Sequence, residues 1–169
     1  GEDCDALRAL LLETLEGALD ALTAMRATEG TALRNDLAAR ADALEGIAAG
    51  IAARAPETVA AYRERLRASV EELLQGHMDE ARLVQETAIY ADRAAIDEEL
   101  VRLKSHIAQL RALIAEEAPA GRRLDFLAQE FNREVNTIAS KSQDIEITRL
   151  AMDGKAEIEK LREQVQNVE

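Results

Sequence analysis

The chain has 169 residues, of which 33 are acidic and 21 basic, and a formal charge of −12 at pH 7. Only 2% of its residues are aromatic and none is tryptophan, whereas a compact globular core usually relies on aromatic side chains for bulk. The negative charge excludes nonspecific attraction to nucleic acids or anionic membranes, so contact with a polyanion requires a basic patch or bridging metal ions. The composition predicts an all-α protein of elongated helical hairpins with coiled-coil-like seams.

Absent sequence features narrow the expected location. The single cysteine, Cys4, excludes an intramolecular disulfide and agrees with a reducing compartment. No uninterrupted apolar run approaches the length of a membrane span, and residues 1–3 do not open a signal peptide. We therefore expect a cytoplasmic protein with no membrane partner.

The first predicted region, residues 1–76, is a helical arm. Its first part carries an apolar stripe at helical spacing. The stripe consists of Leu7, Leu11, Leu15, Leu19 and Leu22. One long helix and two helices that meet at residues 28–31 are both compatible with the pattern. Pro56 is predicted to end this segment, because proline suits the first turn of a following helix. That helix is predicted over residues 57–75, with Gly76 as its C-terminal cap.

The second predicted region, residues 77–169, is a C-terminal helical domain. Its first segment begins near Asp79 and carries apolar residues at alternating spacings of four and three, the pattern of a helix that faces a partner helix. These residues are Ile96, Leu100, Leu103, Ile107, Leu110 and Ile114. The heptad rule does not decide between a hairpin within the chain and an oligomer, and we favour the hairpin.

Two more helices are predicted after a break at residues 118–121, where proline and glycine allow the chain to reverse. The first has an apolar stripe of Leu124, Leu127, Phe131, Val135 and Ile138. A kink or cap is predicted near Ser140, because Gln143 follows it at capping-box spacing. The last helix has a stripe of Ile147, Leu150, Gly154, Ile158, Leu161, Val165 and Val168. No β-strand pattern appears in the sequence.

Residues 121–149 concentrate amides, hydroxyls and paired charges, in contrast to the Ala-, Glu- and Leu-rich remainder. Asn, Thr and Ser suit helix interiors poorly, and a local departure of this kind is where function is expected. Glu130 and Glu134 are four residues apart and share a helix face. Their mutual repulsion is relieved by a proton or a cation, such as magnesium or manganese held by carboxylates, water and phosphate.

The neighbouring line of the same helix suits phosphate and 2′-hydroxyl contacts. It consists of Gln129, Arg133 and Asn136. The alternative interpretation is a solvated helix face with ordinary ion pairs, in which Arg133 or Lys141 balances the glutamates.

His106 is a second candidate, because it lies on the same helix side as Glu99 and Arg102. A histidine can donate or accept a proton near neutral pH, or bind a metal. The alternative is a partly buried, hydrogen-bonded histidine packed at the hairpin interface.

Three segments of the sequence resemble the C-terminal region of the YicC (YloC) family of bacterial endoribonucleases. They are residues 97–106, 121–147 and 163–169. The resemblance is strong over residues 86–169 and weaker at residues 28–33. Family members carry a further N-terminal α/β region, so we expect this chain to correspond to the C-terminal half to two-thirds of a full member. Residues 152–155 depart from the family pattern, and we expect Gly154 to loosen the last helix.

The resemblance implies a metal-dependent endoribonuclease that acts on single-stranded RNA in small-RNA turnover and forms hexamers. On this scaffold the expected catalytic residues are Glu130, Glu134 and His106. A magnesium or manganese ion is expected on Glu130 and Glu134, with Asp144 and Glu146 as further metal ligands. The expected RNA-binding residues are Arg123, Gln129, Asn132, Arg133, Asn136 and Lys141. The alternative is a non-catalytic helical oligomerisation scaffold that binds RNA or protein partners.

Overall fold

The computed structural model describes residues 2–74, 79–116 and 120–166, and these residues form five helices and no strand. The helices are α1 (Glu2–Leu74), α2 (Glu80–Arg93), α3 (Asp97–Ala115), α4 (Gly121–Lys141) and α5 (Ile145–Val165). The predicted all-α class is confirmed. None of the described helices combines the length and the apolar character that spanning a membrane requires.

The chain packs as two units, Gly1–Leu37 and Ala38–Glu169. The described part of the first unit belongs to α1, and its leucine stripe is exposed, with relative exposures from 46% at Leu22 to 61% at Leu11. The core lies in the second unit. The predicted division after residue 76 stays a prediction, since residues 76 and 77 lie outside the described residues.

Two successive hairpins form the core of the second unit. α3 packs against α4, and α4 packs against α5. The seam of α3 is buried from Ile96 to Leu110, and Ile114 is half-buried, so the predicted hairpin within the chain is confirmed. The predicted stripes of α4 and α5 are buried as well, apart from half-buried Leu150, and Val168 lies outside the described residues. Each fully buried Leu, Ile, Val or Phe contributes roughly 1.5–3 kcal/mol.

α1 is one helix, and the predicted helix end at Pro56 is wrong, because Pro56 lies inside α1. Proline has no amide hydrogen to donate within the helix, which costs about 3 kcal/mol or more in a helix interior. Two side-chain contacts lie at this turn. The Thr58 hydroxyl donates to the carbonyl of Ala55 at 2.8 Å, and the neighbouring Arg54 forms an ion pair with Asp144 beside α5.

Residues 28–31, where two helices could have met, are also helical. Of the two alternatives, the structure therefore shows the single long helix. The hydroxyls of Thr28 and Thr31 donate to carbonyls four residues earlier, so they find partners within the helix. The predicted cap at Gly76 falls outside the described residues.

The segment predicted to follow Asp79 is divided into two helices, α2 and α3. The Asp79 side chain caps α2 by accepting from two backbone amides of its first turn. α3 begins at Asp97 with three acidic residues in its first turn, which interact favourably with the positive end of the helix dipole. Because Ala94 and Ala95 are strong helix formers, the sequence gives no signal of this break.

The junction between α4 and α5 differs in part from the prediction. α4 continues through Ser140 to Lys141, and the Ser140 hydroxyl donates to a carbonyl three residues earlier. The predicted break near Ser140 is confirmed, since α4 ends at Lys141, but Ser140 itself is not the cap of the next helix. Asp144 is the N-cap of α5, and its carboxylate accepts from the amides of Glu146 and Ile147 at 3.0 Å.

α5 is continuous through Gly154, contrary to the expected loosening. Gly154 is buried, and a Cβ atom at this position would lie 3.6 Å from Ile47 and 3.7 Å from Val135. The glycine therefore lies where α5 approaches both α1 and α4, and it serves close packing without interrupting the helix.

Candidate metal and RNA site

Three of the predicted site residues come together across the α3–α4 hairpin. His106 projects from α3, and Glu130 and Glu134 project from successive turns of α4. One potential ligand atom from each residue lies within 4.8 Å of the other two. Glu134 is buried, whereas His106 and Glu130 are half-buried. The helical spacing of the glutamates and the pairing of α3 with α4 thus create a group of the type that binds metal ions.

The His106 ring is partly enclosed and lacks hydrogen bonds. Both ring nitrogens are buried, and neither has a partner in the described part of the chain. The ring meets Phe131 edge to face, with centroids 6.1 Å apart. A buried polar atom without a partner costs about 1–3 kcal/mol. The alternative of a hydrogen-bonded histidine is therefore not what the structure shows, and a ligand for the ring would remove this cost.

Arg102 fixes the position of the buried Glu134 carboxylate. Its Nε donates to Glu134 Oε1 at 2.8 Å, and its terminal nitrogens donate to Glu99 at 3.1 Å and to Glu98 at 3.4 Å. The hydrogen bond to Glu134 raises the pKa of Arg102 above its usual range. The guanidinium stays charged and holds the carboxylate in one orientation.

Glu99 is a second buried carboxylate behind this group, with an exposure of 4%. Its Oε1 also accepts from the Lys141 ammonium at 3.1 Å. Burial raises the pKa of Glu99, but the hydrogen bond from Lys141 and the nearby positive charges outweigh it, so the pKa lies below its usual value. Glu99 therefore remains ionised at neutral pH.

The charges of these groups do not balance. Glu99, Glu130 and Glu134 supply three negative charges, and Arg102 and Lys141 supply two positive charges. With a neutral imidazole the sum is −1, and a bound divalent cation would change it to +1. The site would repel phosphate without the cation and attract it with the cation bound. A bound cation would thus allow an acidic protein to bind a polyanion.

The other two predicted metal ligands have different partners. Asp144 caps α5 and forms an ion pair with Arg54, whose Nη2 lies 2.9 Å from Asp144 Oδ2. The hydrogen bond from Arg54 is the main reason why the pKa of Asp144 is lowered. Glu146 is exposed and pairs with Arg149 at 3.0 Å. Neither belongs to the group around His106.

The predicted RNA-binding residues lie mostly on solvent-facing positions of α4. Their amides are paired within the helix: Gln129 donates to Asp125, and Asn136 donates to Asn132, both at 2.9 Å. The Arg133 guanidinium is 73% exposed and makes a long contact of 3.7 Å with the half-buried Glu130, and Arg123 forms an ion pair with Glu116. Because the two arginines are exposed, they can exchange these partners for a ligand at little cost.

Sequence reasoning missed a cleft of about 240 Å³ on the α2 side of Lys141. Tyr62 and Tyr90 line it, together with Arg93, Lys141 and Gln143. The tyrosines are 28 residues apart and belong to different helices, so local spacing cannot associate them. The chain has only two tyrosines, and this rarity is the one feature of the sequence that could have drawn attention to them.

Comparison with known proteins places these features in a family context. A family model described as endoribonuclease YicC-like, C-terminal, matches residues 51–169. A probable endoribonuclease YicC from Clostridioides difficile is 48% identical over 170 residues, and one from Haemophilus influenzae is 36% identical over 168 residues. Each comparison covers 99% of this chain, which spans 58% of the length of each relative.

Proposed function

This chain belongs to the YicC-like endoribonuclease family, and from that premise we propose that the complete protein hydrolyses phosphodiester bonds of single-stranded RNA at the group of His106, Glu130 and Glu134. The observation that supports this placement best is the histidine. Among the described residues, neither ring nitrogen has a hydrogen-bond partner, and both are buried. One carboxylate oxygen each of Glu130 and Glu134 lies within 4.8 Å of the other and of a ring nitrogen.

The donor set fits a divalent cation. Carboxylate oxygens suit magnesium and manganese, whereas an imidazole nitrogen favours a transition metal, so manganese fits the three residues better than magnesium. When bound, such an ion lowers the pKa of a coordinated water and stabilises charge on the phosphoryl oxygens. Asp144 and Glu146 form ion pairs elsewhere, with Arg54 and Arg149, and are not metal ligands in this proposal.

The remaining residues of the cluster position the ligands. Arg102 holds Glu134 through one carboxylate oxygen and is itself held from the other side by Glu99. Partners behind the ligating groups set their orientation and affect metal affinity and activity strongly. Arg102, Glu99 and Lys141 are therefore positioning residues in this proposal.

RNA contact is assigned to the exposed side of α4. Arg133 lies one turn from Glu130 and has only a long contact to it, so its guanidinium can turn to a phosphate. The amides of Gln129, Asn132 and Asn136 offer donors and acceptors for 2′-hydroxyl groups, which distinguish RNA from DNA.

The exposed leucine stripe of the first unit supports a homo-oligomer. Leucines with exposures between 46% and 61% form an apolar surface of the kind that marks protein interaction sites. We assign this surface to contacts between copies of the protein, in a hexamer that acts in the cytoplasm on small RNAs. The same surface favours the second candidate function, a helical scaffold without catalysis.

The enzyme proposal predicts that Glu130→Gln and His106→Gln abolish manganese-dependent cleavage of a single-stranded RNA by the complete protein. The physical reason is the loss of a ligand from the group, and a decrease in kcat of at least about 100-fold is expected. Asp125→Asn is the matched control for metal binding and helicity, because Asp125 is an exposed carboxylate on the same helix and lies outside the His106 group. Gel assays with manganese or a chelator measure cleavage, and circular dichroism measures helicity.

Manganese binding provides a readout independent of turnover. Calorimetric titration of each variant should show weaker binding for Glu130→Gln and His106→Gln and unchanged binding for Asp125→Asn. Full cleavage activity in both ligand variants would remove these residues from the mechanism. An oligomer without chelator-sensitive cleavage would favour the scaffold.

A further inference from the structure

The cleft beside Lys141 contains both tyrosines of the chain. Tyr62 of α1 and Tyr90 of α2 stack face to face, with ring centroids 3.8 Å apart and an interplanar angle of 5°. Both are half-buried, and their hydroxyls have no hydrogen-bond partner within the described ranges. The two inner ring faces cover each other, so the groups that a ligand can contact in this polar cleft are an outer ring face and the hydroxyls.

The cleft is less acidic than the protein as a whole. Arg93 contributes one positive charge and Glu86 one negative charge, and the charge of Lys141 is paired with Glu99, so the lining is neutral in a chain of −12. Arg93 is exposed at the end of α2, and no carboxylate pairs with it in the part of the chain that the structure describes. Gln143 adds an exposed amide that can donate and accept.

The cleft adjoins the proposed catalytic group through Lys141. The Lys141 ammonium donates to Glu99, and Glu99 shares Arg102 with Glu134. This chain of side-chain hydrogen bonds links the cleft to the His106 group through two buried carboxylates, Glu99 and Glu134. The volume of about 240 Å³ lies below the roughly 300–1,000 Å³ of pockets for drug-sized ligands, which suits one nucleotide.

We propose that this cleft binds one nucleotide of single-stranded RNA, with the base stacked on the tyrosine pair and the phosphate held by Arg93. The inference rests on RNA as the substrate and names a subsite beside the proposed catalytic group. Stacking on an aromatic face tolerates every base. The subsite therefore contributes affinity and register along the strand without selecting a sequence.

Tyrosine fluorescence tests the base contact directly. The chain has two tyrosines and no tryptophan, so its intrinsic emission reports on this cleft alone. Titration of the chain with a ten-nucleotide polyuridine in chelator, which prevents cleavage, should quench the emission. A strand with abasic sites should bind about tenfold more weakly, within the range that base stacking supplies. Equal affinity for the abasic strand, or emission unchanged at saturation, would overturn the proposal.

Arg93→Gln tests the phosphate contact. Its affinity for the same RNA should decrease several-fold, and the slope of log affinity against log salt should decrease by about one. Arg82→Gln is the control, because Arg82 is exposed on the same helix and does not line the cleft. Identical salt dependence in the two variants would exclude Arg93 from binding, and both variants keep the tyrosine pair.

The two proposals fail in different ways. If Glu130→Gln retains full cleavage while Arg93→Gln and the abasic strand bind weakly, the catalytic assignment is wrong and the subsite stands. If Glu130→Gln is inactive while Arg93→Gln leaves affinity and KM unchanged, the subsite is wrong and the catalytic assignment stands.

Discussion

The Lys141 ammonium compensates the burial of the Glu99 carboxylate. It lies 3.1 Å from Glu99 Oε1 and 3.0 Å from the carbonyl oxygen of Ala95. Because the pKa of Glu99 is lower in the folded chain than its usual value, the unfolded chain binds the proton more tightly. The contribution to stability is therefore complete above the unfolded pKa of about 4.3 and is lost as the pH falls through the lower folded value.

Lys141→Met should decrease the free energy of unfolding at pH 7 by about 1 kcal/mol, since the pair is part-exposed and only Glu99 is deeply buried. The decrease should shrink as the pH falls below the unfolded pKa of about 4.3 and through the lower folded value, because Glu99 then takes up a proton in the parent chain. Urea unfolding across this range measures the effect. Lys104→Met is the control, because Lys104 is an exposed lysine of α3. A decrease that stays constant in acid would contradict the role of Glu99.

At the residue scale, the sequence analysis named His106, Glu130 and Glu134, and the structure brings these three residues together. The glutamates were named from their spacing of four, and the histidine from the helix side that it shares with Glu99 and Arg102. The sequence could not show that Asp144 caps α5 and forms an ion pair with Arg54, because Arg54 lies 90 residues earlier in the chain. It also could not rank Glu99 and Arg102 above the many other charged residues, since their burial arises only in the packed hairpin.

At the element scale, apolar periodicity predicted the buried faces of α3, α4 and α5. These stripes depend on local spacing and on a neighbouring helix, and the short connections supply the neighbour. Helix ends were predicted less well. α1 passes through Pro56, and at this turn Arg54 pairs with Asp144 and the Thr58 hydroxyl donates to the Ala55 carbonyl. The break after α2 falls between alanines that intrinsically favour a helix.

Two glycines of α1, one without neighbours and one in a close contact, allow the effect of helix propensity on stability to be measured apart from the effect of packing. A Cβ atom at Gly46 would have no neighbour within 4 Å, whereas one at Gly50 would lie 3.3 Å from the Leu150 side chain. Gly46→Ala should therefore raise the free energy of unfolding by about 0.5–1 kcal/mol. Gly50→Ala should raise it by less, because Leu150 must shift. Thermal and urea unfolding of the pair measure the difference. Equal gains would show that α5 does not approach α1 at Gly50.

At the scale of the whole molecule, we propose that a strongly acidic protein binds RNA at two places where the local charge is less negative than the average. One is a carboxylate and histidine group that a divalent cation would convert from −1 to +1, and the other is the cleft with Arg93 and Lys141. Because exposed charges more than about 8–10 Å apart are largely screened at physiological salt, the remaining acidic surface opposes binding weakly at close range. It still disfavours nonspecific adsorption of RNA, so binding is confined to these places.

The leucine stripe belongs to the same scale, because the contact proposed for it involves a second copy of the protein. Leu11→Glu with Leu15→Glu should reduce the molar mass of the assembled protein, since two charges in an apolar contact are costly to bury. Light scattering coupled to gel filtration measures the mass, and circular dichroism should show unchanged helicity because both sites are exposed.

Ala9→Glu with Ala24→Glu adds the same charge to the opposite face of the helix, about 180° away at 100° per residue, and should leave the mass unchanged. Dissociation in both double variants would indicate general charge repulsion and not a leucine contact. If the leucine variant alone dissociates and then cleaves RNA more slowly, assembly contributes to activity. If it dissociates with full activity, each copy carries a complete site on its own α3–α4 hairpin.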